Sequence, residues 1–351
     1  MADIRWIGVD ESGARGRYVR MKIAKALILT GGRGTARASW QGVSDGPQHL
    51  FPLANRPILF HVLESLRRAG LLEATIVTDP LSRGPIGDAV GDGRRFSLDV
   101  RVAEVDDPAE LGGALASCES FIADEPVLVH QADALLGVPL NGHIASFADD
   151  RLDALALRMP SKPSALAELA PGYMLSPHAL SLLREHPGAA ANPISEVRAH
   201  GGRVRIASVD GCLPCHGDLE ALLDGNRQML QELAVGMDDL SLPGCDIQGP
   251  VSVHPSADVR SSTLRGPLVI GPDAVLRDAY VGPYTSIGAG VEIDGAEIEH
   301  SIVLPRAQLR YVGTRIESSV IGAGARVARE FRKPSATTRL SIGPGAEVLF
   351  S

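Results

Sequence analysis

Val281-Gly-Pro-Tyr-Thr-Ser286 and Ile287-Gly-Ala-Gly-Val-Glu292 stand back to back, each an aliphatic residue followed by glycine. Ile270-Gly-Pro-Asp-Ala-Val275 precedes them and Ile321-Gly-Ala-Gly-Ala-Arg326 follows. An aliphatic-Gly pair returning with a period near six, with small residues at the corners, is the pattern of a left-handed parallel β-helix. Each hexapeptide makes one flat side of a triangular coil, and its aliphatic residue points into the core. The pattern predicts a β-helix domain with a C-terminal tail over residues 246–351. A break is expected at Glu330–Thr338, with Ile342-Gly-Pro-Gly-Ala-Glu347 as one more side after it. Residues 236–245, ending in Leu240-Ser-Leu-Pro-Gly-Cys245, read as the linker.

Upstream, residues 22–235 follow another grammar, in which strands alternate with helices. Ala26–Thr30, Glu73–Thr78, Val100–Val105, Pro126–His130, Leu152–Leu157, Gly172–Ser176 and Arg203–Ser208 read as strands. Pro57–Gly70 reads as a helix, with Pro at its start, Ile58, Leu59, Val62, Leu63 and Leu66 at helical spacing, and Gly70 at its end. Leu111–Ile122, a segment from Pro177, and Asp218–Leu233 read as further helices. Such alternation predicts an α/β domain, a mostly parallel, Rossmann-like sheet with helices on both faces. Ligands of such sheets bind beyond the carboxyl ends of the strands.

The composition excludes several classes. The 351 residues carry a net charge of −8, which argues against nucleic acid or an anionic membrane as the main partner. Mean hydropathy is near zero, and no apolar run approaches the ~20 residues that span a bilayer. Four cysteines do not make a disulfide scaffold and fit a reducing cytoplasm. Residues 1–21 show neither helix nor strand period nor the apolar run of a signal peptide. They read as an appended arm or as the product of a start codon upstream of Met21.

Chemistry is expected first at Ala26-Leu-Ile-Leu-Thr-Gly-Gly-Arg-Gly-Thr-Ala-Arg-Ala-Ser39, a buried strand running into a glycine loop. Backbone N–H groups in such a loop cradle phosphate. A Gly-Gly turn alone is common and carries little weight.

With its context, the chain resembles the long-form glucose-1-phosphate thymidylyltransferases of bacterial deoxysugar and antibiotic pathways. The resemblance runs from Lys22 to Val327. It rests on Leu29-Thr-Gly-Gly-Arg-Gly-Thr35, Phe51-Pro-Leu-Ala-Asn-Arg-Pro-Ile58, Leu219-Glu-Ala-Leu-Leu-Asp-Gly-Asn-Arg227, Gly282-Pro-Tyr-Thr-Ser-Ile-Gly288 and Glu297-Ile-Glu-His-Ser-Ile-Val303. It implies transfer of a nucleotidyl group from a nucleoside triphosphate to a sugar 1-phosphate with release of pyrophosphate. In such in-line chemistry the protein mainly positions two polyanions and neutralises their charge. The resemblance places the nucleotide on Gly31, Gly32, Arg33, Gly34, Thr35 and Gly112, the sugar phosphate on Lys162 and Gly172, and Mg²⁺ on Asp133.

The departures fall where charge is handled. The family's arginine after Gly-Thr is Ala36 here, with Arg37 one place further on as the possible catalytic substitute. Its lysine after Gly-Pro is Gln48, and its second metal aspartate falls on Cys215, a poor ligand for Mg²⁺. The Glu-Ile-Thr-Asp sugar segment reads Pro193-Ile-Ser-Glu196, and the base-reading glutamine falls on Asp107 or its neighbours. One preorganised charge-stabilising group is typically worth about 10²–10³ in rate.

The expectation is therefore a homologue of weak or absent transfer activity that binds a nucleotide or nucleotide sugar. Its role would be regulatory, within sugar-nucleotide or natural-product metabolism, and it would be oligomeric with itself or with an active paralogue. One rival is an active enzyme for an unusual sugar or cyclitol phosphate, with Arg33, Arg37, His49 or Arg56 replacing the lost cations. Another is a β-helix acyltransferase using His300 as base, against which a stacked structural histidine is the plainer reading. Cys212-Leu-Pro-Cys-His216 matches a haem-attachment spacing, but nothing marks the chain for export and no fourth zinc ligand stands nearby. That match reads as coincidence.

Overall fold

A computed structural model of the chain describes residues 23–31, 46–159, 170–185, 192–212, 219–233, 241–329 and 340–350. The front domain opens with strand β1 (Lys25–Leu29), then a short hairpin of β2 (Pro52–Leu53) and β3 (Arg56–Pro57), helix α1 (Ile58–Arg68) and β4 (Glu73–Thr78). Helix α2 (Pro80–Val90), β5 (Asp99–Glu104), α3 (Leu111–Ser117), α4 (Glu119–Ile122), β6 (Val127–Gln131), β7 (Leu135–Leu136) and α5 (Asn141–Asp149) follow. The domain closes with β8 (Ala154–Arg158), β9 (Gly172–Leu175), α6 (Pro177–Glu185), α7 (Pro193–Ala199), β10 (Val204–Ser208), β11 (Gly211–Cys212) and α8 (Leu219–Leu233).

Among the described residues, seven strands form one sheet in the order β10-β8-β9-β6-β1-β4-β5, while β7 pairs with β11 beside it. Of these seven, only β9 runs antiparallel to its neighbours, so the sheet is mostly parallel, as expected. β1 lies inside it, between β6 and β4, and is apolar on both faces, as a strand covered twice must be. Ala26 and Ile28 face the core built with α1, α2, α5 and α8. Leu27 and Leu29 face the opposite core, built with α3, α4, α6 and α7.

The single helix expected over Leu111–Ile122 is two, broken at Cys118, whose φ of −107° and ψ of 18° leave the helical region. Helix α2 was not legible in advance. Asp79 caps it by accepting hydrogen bonds from the Leu81 and Ser82 amides at 2.9 and 3.0 Å. Pro85 lies inside it and only Ile86 and Val90 are buried, so no apolar stripe announces it.

The second domain is the left-handed β-helix. Its described strands stack into three parallel sheets, one of five strands and two of six. A full coil takes 17 residues where Val251 pairs with Leu268 and Leu268 with Thr285. Three sides near six residues predict that length. The interior is a ladder of aliphatics, Val259, Leu276, Ile293, Leu309 and Val327, in direct register. Glycine follows the aliphatic residue because the next coil leaves no room for a side chain. A Cβ at Gly288 would lie 2.8 Å from the Pro305 backbone nitrogen. Ser341–Ile342 and Glu347–Phe350 add strands to two of the sheets, so Ile342–Glu347 turns a corner between two sides instead of forming one side, as Ile270–Val275 and Ile287–Glu292 also do. Residues 330–339 lie outside the described ones.

The two domains share a core. Ile302, Leu304 and Val320 of the β-helix belong to the same buried cluster as Leu59 and Leu63 of α1 and Leu222, Met229 and Leu230 of α8. Among the described residues no helix is long and apolar enough to cross a membrane.

Candidate functional site

The chain runs from β1 outward to β4 and β5, then returns across the sheet to β6 on the other side of β1. Connections therefore leave β1 and β6 toward opposite sides, which opens a crevice at their carboxyl ends. Leu29 pairs with Gln131 in the parallel register. Gly31 and Asp133 each lie two residues further on, so the fold brings these two predicted site residues together.

Gly31 is pinned. A Cβ there would run into the Ala109 backbone nitrogen and lie 2.5 Å from the Pro108 carbonyl carbon. The segment after β1 thus touches the segment leading into α3, whose first turn carries Gly112. Asp107 is exposed and bends this segment, its carboxylate accepting the Ala109 amide at 2.9 Å. Gly32, Arg33, Gly34, Thr35, Ala36 and Arg37 lie outside the described residues, as do Lys162, Cys215 and His216.

Asp133 is 5% exposed, and two buried imidazoles feel its charge. His130, at the end of β6, donates from Nδ1 to the Gln131 carbonyl at 2.7 Å. Burial pushes its pKa down to about 4 against the pull of Asp133. His49 arrives on the short turn Gln48–Leu50, 5% exposed. Burial lowers its pKa too, although Asp133 and Asp79 both favour the cation. The His49 Nδ1 atom is buried without a hydrogen-bond partner. Sequence reasoning missed His130, although it stands three residues before Asp133.

Two substitutes for the lost cations are therefore not free cations. His49 is neutral near pH 7, because burial outweighs both carboxylates. Arg56 holds Glu64 through both of its terminal nitrogens. Gln48 keeps a polar but uncharged group where the resemblance implies a lysine, its Nε2 lying 3.4 Å from the His49 Nε2.

Among the described residues, Asp133 is the one carboxylate that the resemblance assigns to Mg²⁺. That ion demands several hard oxygens, and Asp133 stands with two imidazoles. Among the described residues no group of three His, Cys, Asp or Glu side chains has the arrangement to hold a metal.

Gly172 has a packing role. A Cβ would lie 2.7 Å from the Val129 carbonyl oxygen, where β9 crosses close to β6. Pro193-Ile-Ser-Glu196 opens α7, capped by the Asn192 side chain, with Pro193, Ile194 and Val197 buried. On the β-helix, His300 sits at a left-handed corner, φ 45°. Its Nδ1 lies 3.3 Å from the Ser318 hydroxyl and its ring meets Tyr284 edge-on. Its Nε2 is buried without a partner, so it is not presented to solvent as a base.

The nucleotidyl transferase family model matches residues 25–166, which hold both β1 and Asp133. A glucose-1-phosphate thymidylyltransferase of Streptomyces griseus is 30% identical over 356 residues, covering 91% of this chain and 97% of that protein. The chain belongs to the glucose-1-phosphate thymidylyltransferase family. A second thymidylyltransferase, from Streptomyces antibioticus, is 25% identical and covers 92% of this chain and 99% of its own. A Bacillus anthracis structure assigned to glucose-1-phosphate thymidylyltransferase, solved with sucrose, superposes with a TM-score of 0.50 at 17% identity. It covers 62% of this chain and 97% of that one, and shows the likeness of fold alone. This thymidylyltransferase-family chain thus spans nearly the full length of the two Streptomyces proteins.

Proposed function

We propose that this chain binds a nucleotide or nucleotide sugar at the carboxyl ends of β1 and β6, and that its nucleotidyl transfer is weak or absent. Its role is then regulatory, exerted as a homo-oligomer or on an active paralogue in the cytoplasm. The observation that carries this reading is that, of the candidate replacement cations, the two in the described residues are not free to serve. Gly31 keeps its close approach to Ala109, whereas His49 is neutral and Arg56 is taken by Glu64. A triphosphate needs cations in the transition state more than in the bound ground state. The test is a calorimetric titration of dTTP and dTDP-glucose, with and without Mg²⁺, beside an assay of pyrophosphate release from dTTP and glucose 1-phosphate. Binding with little Mg²⁺ dependence and negligible release is expected. Turnover on the order of 1–10³ s⁻¹ would refute the regulatory role.

One observation favours an active enzyme for an unusual phosphorylated sugar or cyclitol. Asp133 remains buried at the switch point of the sheet, its charge felt by the buried His49 and His130, where a bare loop aspartate would be solvated. Pyrophosphate release with a panel of sugar and cyclitol phosphates separates this reading from the first. Acyl transfer is left without its base by the enclosure of His300 Nε2, and a coenzyme A titration tests it.

A further inference from the structure

We infer that Asn226 is a positioning residue that makes the β-helix part of the front site. Asn226 is fully buried on α8. Its Oδ1 accepts the Ala54 amide at 2.8 Å and the Ser286 hydroxyl at 2.6 Å. Its Nδ2 donates to the Tyr284 carbonyl at 3.0 Å. One side chain thus binds the front hairpin and a β-helix coil together. A buried amide left unpaired is destabilising, so a node with these bonds fixes its partners in place.

The fixed partner is the tip of the β2–β3 hairpin. Ala54 and Asn55 both adopt left-handed backbone, φ 48° and 62°, as a tight turn of this kind requires. Neither is glycine, so the turn needs outside support. Asn226 takes the Ala54 N–H, and the Asn55 Nδ2 donates to the Ile287 carbonyl of the β-helix at 2.6 Å.

From this tip back to the crevice the chain has no slack. Leu53 pairs with Arg56 and Pro52 with Pro57. The Phe51 carbonyl accepts the Ile58 amide at 3.0 Å, and the Phe51 amide donates to the Gln48 carbonyl at 3.0 Å. Phe51 itself is fully buried. His49 lies inside this tightened turn, within reach of the Asp133 charge. A shift of the hairpin tip is therefore carried to Gln48 and His49. Helix α8 also meets β11, which pairs with β7 two residues after Asp133. The helix bearing Asn226 braces both segments that meet at the crevice.

The inference rests on the proposed binding role of that crevice, but its structural half is tested without a ligand. Amide hydrogen exchange would be followed at Leu50 and Phe51, whose N–H groups donate to Pro47 and Gln48, and at Leu27–Leu29 in the sheet. Ser286→Ala and Asn55→Gly each remove a β-helix tie, and glycine keeps the left-handed turn. Each should speed exchange at Leu50 and Phe51 by about five- to tenfold, the worth of one hydrogen bond, while the sheet amides hold. The Asn226→Ala variant should exceed both. Equal acceleration everywhere, or none at Leu50 and Phe51, overturns the coupling. In parallel, dTTP is titrated into each protein. Wild-type binding that weakens in Asn55→Gly supports the site role, and wild-type binding unchanged in all three variants overturns it. No heat with the wild type would refute the binding proposal instead, and the exchange result would still decide the coupling.

Discussion

The backbone of Gly31 rests against the Ala109 amide so closely that a single added methyl would overlap it. The contact joins the outlet of β1 to the entrance of α3, across the mouth of the crevice. Both sides are backbone, so neither yields by rotating a side chain. Gly31→Ala should cost about 1–3 kcal/mol through overpacking and should abolish any nucleotide binding. Urea unfolding and calorimetry check the two effects. Wild-type values in both would mean that the two segments are free to part.

Transfer activity should return only when the charges return together. Ala36→Arg, Gln48→Lys and Cys215→Asp restore the groups implied by the resemblance. Groups acting on one transition state are strongly non-additive, so the triple variant should exceed the best single one by more than tenfold in pyrophosphate release. Equal rates for single and triple variants would place the deficit elsewhere.

Acid should weaken the fold in a definite window. His130 is 1% exposed with its pKa near 4, and burial lowers His49 and His61 as well. Below the unfolded value near 6.5 the unfolded chain takes up protons that the folded chain refuses. The stabilisation is complete above pH 6.5 and is lost as pH falls toward about 4. His130 alone accounts for roughly 3 kcal/mol over that interval. Urea midpoints between pH 7.5 and 5 should fall for the wild type and fall less for His130→Leu. Parallel curves would remove His130 from the account.

The shared core makes a further demand. Ile302 is 1% exposed in a cluster that includes Leu59 and Leu222. Ile302→Ala should cost about 2–5 kcal/mol and should lower hydrogen-exchange protection at Leu27–Leu29 along with that of the β-helix. Loss confined to the β-helix would mean that the domains unfold independently.

Much of this was legible because two periodicities differ so clearly. The aliphatic-Gly hexapeptides made the β-helix legible, and with it the return of strands around Ile342–Glu347, although each hexapeptide turns a corner instead of forming one side. The doubly covered β1 was plain from its unbroken apolar run. Helix α2 was hidden because Gly84, Pro85 and Gly87 speak for a loop, whereas its Asp79 cap shows only in three dimensions. At the candidate site, the nearness of Gly31 and Asp133 at the strand ends was legible from motif and strand order. The neutrality of His49 was not, because it depends on burial by residues distant in sequence. Asn226 stood in a quoted motif, yet its three partners lie 58 to 172 residues away.

The shared core also sets a timetable for synthesis. Helix α8 ends at Leu233, and the last β-helix residue of its cluster is Val320. At about 5–20 residues per second, the 87 residues from 233 to 320 take on the order of 4–17 s. For that interval the nascent front half is finished in sequence but holds an uncovered apolar flank along α1 and α8. A cell making this protein must shield that flank, so rare codons or chaperone shortage between 233 and 320 should lower its yield more than the same burden placed upstream.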